Sequence, residues 1–277
     1  MSNLLDTGRG LKIIFLILFV HTFLTATFID SSKAHASDIT VGATTWYAWG
    51  EQYYTQKDYI GNYNFVKKTD PSLLYGPVLA VKFNEDFNLT FAFLYGKFNA
   101  TEEKDNIKSE FKRSDSDLAL NYKLSDSFKV FVGAKYLSYG VVPIKNNFFG
   151  GMTFKIKDMD QHTSYGSGLG LSASIPITGN IFGLATVSGL YLWGDEKVEI
   201  TDIGGANPKS LKIGYNEYGI NSSASIAYYI ADWSTVISLG ARVQYIMADY
   251  KDNEIYLQSV KFLIYGITLT ATYTFGI

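Results

Sequence analysis

The chain has 277 residues, with 24 Lys and Arg against 26 Asp and Glu, for a formal net charge of −2. That balance offers no electrostatic case for nucleic acid. Cysteine is absent, which removes both a disulfide framework and a thiolate metal site.

The first segment reads as an address rather than as fold. Arg9 and Lys12 make a basic start, an apolar run follows over about 13–29, and Ala34-His35-Ala36 fits a small-x-small cleavage pattern. Cleavage is expected after Ala36, giving a signal peptide over 1–36 and a single mature domain over 37–277. A retained membrane helix is the weaker alternative, because the run is short for a span of ~20 residues.

Ten strands are predicted from period-two alternation. The first covers about 39–50, with Ile39, Val41, Ala43, Tyr47 and Trp49 on one face and Thr40, Gly42, Thr44, Ala48 and Gly50 on the other. A polar and aromatic connection follows over 51–71. The next strands cover about 73–83, 87–98, 115–124 and 128–139, with a charged loop expected over 99–114. A long connection over 140–164 leads to strands at 165–175 and 181–194. The face of 181–194 is ambiguous, and a bulge could switch it partway. After a loop over 195–216, strands at 217–230 and 233–246 precede a last loop and the closing strand.

That closing strand is the clearest stretch. From Tyr265 to Ile277 apolar or aromatic residues alternate without a break with Gly and Thr. Only hydrogen-bonded helices and closed barrels can cross a bilayer, because unpaired backbone groups in hydrocarbon are costly. The chain after the leader is rich in Tyr and Phe and has no second apolar run of helical span. The pattern resembles the bacterial outer-membrane β-barrel proteins, in the porin-like manner and across the whole mature chain. The tail also resembles their C-terminal targeting signal, although the last residue is Ile277 rather than an aromatic.

The fold expected is therefore all-β: a transmembrane, antiparallel, up-and-down barrel of ten strands, with twelve as the alternative if the 140–164 or 195–216 loop hides a hairpin. Connections alternate short and long, as periplasmic turns and external loops do in such barrels. Trp233 at a turn, and Trp46, Trp49 and Trp193 at the far strand ends, read as headgroup anchors.

By parity Lys82, Asp117, Lys123, Lys129, Lys135, Glu217 and Arg242 point into the lumen. The turn at 125–127 predicts Asp117 opposite Lys135, Asn121 opposite Phe131 and Lys123 opposite Lys129. The Lys–Lys pair should need a carboxylate or water nearby. These charges either fill and stiffen the barrel or line an electropositive passage for small anions, and filling is favoured in barrels this narrow.

A second constellation resembles the omptins, outer-membrane proteases that are also ten-stranded and use an Asp-x-Asp and an Asp-x-His pair at the external rim. Asp115-Ser116-Asp117 and Asp160-Gln161-His162 match in spacing. The second pair, however, falls in the third long loop, where omptins carry theirs in the fourth. Three functions are thus open: a narrow channel for small solutes, a non-enzymatic structural or surface-interaction barrel, and the rim protease, with a non-enzyme favoured. Expected partners are membrane lipid, lipopolysaccharide, the outer-membrane assembly machinery and, for a channel, a small solute. No cofactor and no metal are called for.

Overall fold

The computed structural model describes residues 38–57, 62–102, 108–143, 147–149, 152–154, 161–200, 209–250 and 257–276. The expected signal peptide lies outside them, as does Asp160. The strands are β1 (Asp38–Lys57), β2 (Asn62–Thr69), β3 (Ser72–Lys82), β4 (Phe87–Glu102), β5 (Lys108–Lys123), β6 (Phe128–Pro143), β7 (Asn147–Phe149), β8 (Met152–Phe154), β9 (Gln161–Thr178), β10 (Ile181–Ile200), β11 (Lys209–Ile230), β12 (Thr235–Tyr250) and β13 (Leu257–Gly276).

Apart from β7 and β8, each strand pairs antiparallel with its neighbours in one sheet, and β13 pairs with β1 to close it. β2 and β3 form one interrupted stave, so the eleven strands of the sheet make a ring of ten. β7 and β8 form a separate two-stranded hairpin within the connection between β6 and β9 and add nothing to the wall. The twelve-strand alternative is thereby set aside.

The interruption has a clear cause. Opposite Trp49 and Gly50 of β1 stand three residues, Thr69, Asp70 and Pro71. This is a bulge, and Pro71 has no N–H to give a ladder. It switches the inward parity from Lys67 and Thr69 in β2 to Ser72 and Leu74 in β3. The backbone N–H of Gly50 donates instead to Thr69 Oγ1 at 2.7 Å.

The registers fix the dimensions. A row of paired residues leaves β1 at Asp38, passes through Lys82, Asn88, Asn121, Phe131, Gly170, Ser188, Asn221, Gln244 and Ile264, and returns to β1 at Gly50. The stagger is thus twelve residues, from 38 to 50. With ten strands about 4.8 Å apart and a rise of about 3.3 Å, that closes a barrel tilted roughly 40° and about 20 Å across between backbones.

Outward faces are apolar and exposed: Leu79, Leu118, Leu169, Leu171, Ile220, Ile226, Leu239, Ile267 and Leu269. Two aromatic belts bound this band. Near the long-loop end Trp49 stacks on Tyr265 at 6.1 Å, and Tyr136, Tyr165 and Trp193 adjoin across β6, β9 and β10. Near the turns Phe87 meets Tyr122 at 4.9 Å, and Trp233 is exposed. The strands continue beyond the upper belt, where the outward residues become charged, as in the Lys97–Glu110 and Lys212–Asp195 pairs. The segments 51–57, 62–69, 99–102, 108–114, 195–200 and 209–216 are therefore strand, not the loops their polarity suggested. A ladder leaving an apolar band into water keeps its backbone pairs and only exchanges its outer side chains.

Candidate functional site: a lumen closed by two layers

Inward side chains divide the lumen by height. Toward the turns most are small or hydroxylated, such as Thr40, Gly42, Thr44, Ala80, Ala119, Gly170, Ser172, Thr186, Ser223 and Thr270, with Lys82, Asn121, Lys123, Lys129 and Phe131 the larger side chains among them. Several pair across strands, such as Thr44 with Thr270 and Thr186 with Ser223, both at 2.7 Å. Toward the loops many of the inward residues are large, and they are buried. The lumen is thus a cup open at the turn end and closed above.

The floor of the cup is ionic. Asp115 and Asp117 share a face of β5, and Lys135 on β6 stands opposite Asp117. Lys135 Nζ donates to Asp115 Oδ1 and, at 2.8 Å, to Asp117 Oδ1. Arg113, one step higher on the same face, donates to Asp115 at 3.0 Å and to Tyr139 Oη at 2.7 Å. It also crosses the lumen to Gln244 Oε1 on β12. Arg242 crosses the other way, 3.4 Å from Asp117 Oδ2 and 3.9 Å from Asp115 Oδ2, while its Nε donates to Asn221 at 3.0 Å. Its guanidinium lies 4.7 Å from the ring of Trp46. The two arginines thus tie opposite walls together.

An aromatic layer sits above. Tyr139 on β6 stacks on Phe262 on β13 at 5.2 Å, again across the barrel. Phe98 and Phe111 stack at 5.0 Å, and His162 stacks on Tyr215 at 4.1 Å. His162 Nε2 is 2.8 Å from Glu217 Oε1, both buried. Leu137, Leu192, Ile246 and Ile264 fill the space near these layers.

The seven residues singled out by parity all face inward but do not form one group. Asp117, Lys135 and Arg242 belong to the ionic floor, and Glu217 to the aromatic layer. Lys82, Lys123 and Lys129 stand near the turn end. Lys82 is 3.6 Å from Asp38, and Lys123 is 2.7 Å from Asp126. The three cross-strand pairs expected around the turn at 125–127 are the pairs found. The face of β10 also resolves: Thr186, Ser188, Leu190 and Leu192 point in, while Val187, Tyr191 and Trp193 point out.

Two expectations need correction. Trp46 is not a headgroup anchor: it is 0% exposed, inside the lumen, because it shares parity with Thr44 and Ala48. Asp115, Asp117 and His162 are not on an open rim. Both carboxylates face cations in the interior, and His162 lies within β9, inside the plug. Arg113, Tyr139, Gln244 and Phe262 escaped sequence reasoning. A signal existed for Arg113: carrying the expected β5–β6 pairing upward places it opposite Tyr139, as found.

No family model and no curated protein matches the chain. Among solved structures it is similar to the outer membrane protease OmpT from Escherichia coli, with a TM-score of 0.57 at 10% identity, covering 88% of this chain and 98% of that one. It also matches the outer membrane protein AlkL (TM-score 0.41, 13% identity, 88% and 92% covered) and the P. putida toluene transporter TodX (0.33, 10%, 89% and 91%). At such identities the likeness to OmpT concerns fold alone. The closed ring, its apolar outward band and the fold it shares with OmpT make the chain an outer-membrane β-barrel protein. Its short turns and its cup therefore face the periplasm, and its long connections face outward.

Proposed function

We propose that this protein is a closed, non-enzymatic outer-membrane barrel that stabilises the envelope and displays its long strand extensions at the cell surface. One observation carries the reading. Two stacked layers, tied wall to wall by Arg113–Gln244, Arg242–Asp117 and Tyr139–Phe262, fill the outer half of the lumen, where Trp46, Arg113, Asp115, Tyr215 and Gln244 are fully buried. A narrow channel for small solutes fits less well, because a solute would have to displace both layers. Proteolysis fits less well again, since a water-activating carboxylate must be free to accept a proton and both aspartates are held by cations.

Planar-bilayer recording on the purified, folded protein tests this. No unitary conductance is expected; regular current steps from wild type would restore the channel reading. Cleavage of basic peptides that disappears in His162→Ala would instead establish the protease.

A further inference from the structure

We infer that the periplasmic cup holds a binding site for an anionic group, a phosphate or carboxylate of a periplasmic molecule, on the wall formed by β5 and β6, with Lys129 as its principal ligand and Lys123 beside it. Lys129 and Lys123 are directly paired across the two strands and both face the lumen. Side chains so placed have Cβ atoms about 5 Å apart, and like charges there repel. Lys82, on the next stave but one, adds a third cation near the same mouth.

The compensating carboxylates lie elsewhere. Lys123 pairs with Asp126, whose side chain is 96% exposed on the turn, and Lys82 is 3.6 Å from Asp38, also partly exposed. Glu85 and Asp86 sit on the neighbouring turn, in solvent. Among the described residues no carboxylate pairs with Lys129. Its neighbour across β6 and β9 is Ser172, a hydroxyl able to donate to the same anion.

The cup also has room. Lys135 stands six residues above Lys129 on β6 (129 to 135), about 20 Å along the strand and roughly 15 Å in height after tilt. The inward position between Phe131 and Lys135 is Gly133, and Phe131 itself lies against Gly170 on the wall. Rim acids facing solvent are screened within about 8–10 Å at physiological salt, whereas Lys129, half-buried in the wall, is screened less. Entry is from the periplasm, so the site does not depend on conduction. A conducting barrel would overturn the proposed function and leave this site standing.

The test is amide NMR of the full barrel in micelles. Inorganic phosphate and acetate are titrated separately at constant ionic strength held with sodium chloride. Saturable shifts at Lys123, Lys129 and Ser172 are expected for at least one of the two anions. Lys129→Met should weaken apparent affinity at least tenfold, and Lys97→Met, on the outer surface, should leave it unchanged. Far-UV circular dichroism confirms that each variant keeps its barrel, and Lys129→Arg should retain binding within a few-fold. Absence of saturable shifts with either anion, or the same affinity in Lys129→Met, would overturn the assignment.

Discussion

Asp115→Ala is the most informative single change in the lumen. The Asp115 carboxylate is buried and accepts from Lys135 and from Arg113 at 3.0 Å, with Arg242 at 3.9 Å. Its removal leaves Arg113 without its ion-pair partner, and leaves Lys135 and Arg242 with Asp117, which they already share and which is 35% exposed. Taking one partner from a buried ionic cluster costs about 3–5 kcal/mol, because the remaining charge stays desolvated. Asp117→Ala should cost about 1 kcal/mol or less, since that side chain still meets the water of the cup. The double change Asp115→Leu with Lys135→Met should lose less than Asp115→Ala, because it removes charge of both signs and refills the space. Urea unfolding of the three variants in lipid vesicles, followed by tryptophan fluorescence, gives the ranking. A loss under about 0.5 kcal/mol for Asp115→Ala would refute the account of the floor as a set of interdependent charges.

Three further outcomes are expected. In variants that each retain one tryptophan, brominated lipid should quench Trp49 strongly and Trp46 hardly at all, since Trp46 is in the lumen; equal quenching would put Trp46 back on the lipid face. Gly194→Val should destabilise by roughly 1–3 kcal/mol, because a Cβ there would meet the Tyr215 ring at 2.1 Å and push it off His162; a shift in the His162 ring resonances would report the lost stacking. The Lys123 ammonium holds the Asp126 carboxyl below its ordinary range, so this group favours the folded form above its unfolded-state pKa, and that contribution fades as pH falls through the lowered folded value. Lys123→Met should return Asp126 toward its ordinary value in a carboxyl carbon-13 titration, and an unchanged midpoint would show that the ion pair does not form.

Legibility in the sequence followed chemistry rather than length. Where outward residues are apolar, as from Tyr265 to Phe275, alternation marks strand, face and register together. Where the outward residues turn polar, as at Lys108, Glu110 and Lys112, alternation of polarity fades though the ladder continues, and Arg113 was absorbed into an apparent loop. The bulge at Asp70 and Pro71 escaped for a related reason. Parity counting assumes one residue per step, and only pairing with β1 reveals the extra one. Trp46 was misassigned by residue type, because tryptophan favours headgroups, although its parity with Thr44 already pointed inward.

The backbone ring and the lumen contents have separate energetic roles. Closure of β13 on β1 satisfies the hydrogen bonds of the wall whatever stands inside, so the fold tolerates either a filled or an open interior. A ring about 20 Å across leaves more space than ten strands of Gly, Ser and Thr can fill. In the outer half Trp46, Arg113, Tyr139, Tyr215 and Phe262 occupy that space, and Arg113–Gln244, Arg242–Asp117 and Tyr139–Phe262 join opposite walls rather than only neighbouring strands. Cross-wall pairing resists a change in the cross-section of the barrel, which contacts within one wall could not do. The inner half keeps its small residues and is left accessible to the periplasm. Closing one half and leaving the other hydrated is a choice made by side-chain size alone, on strands that run unbroken through both.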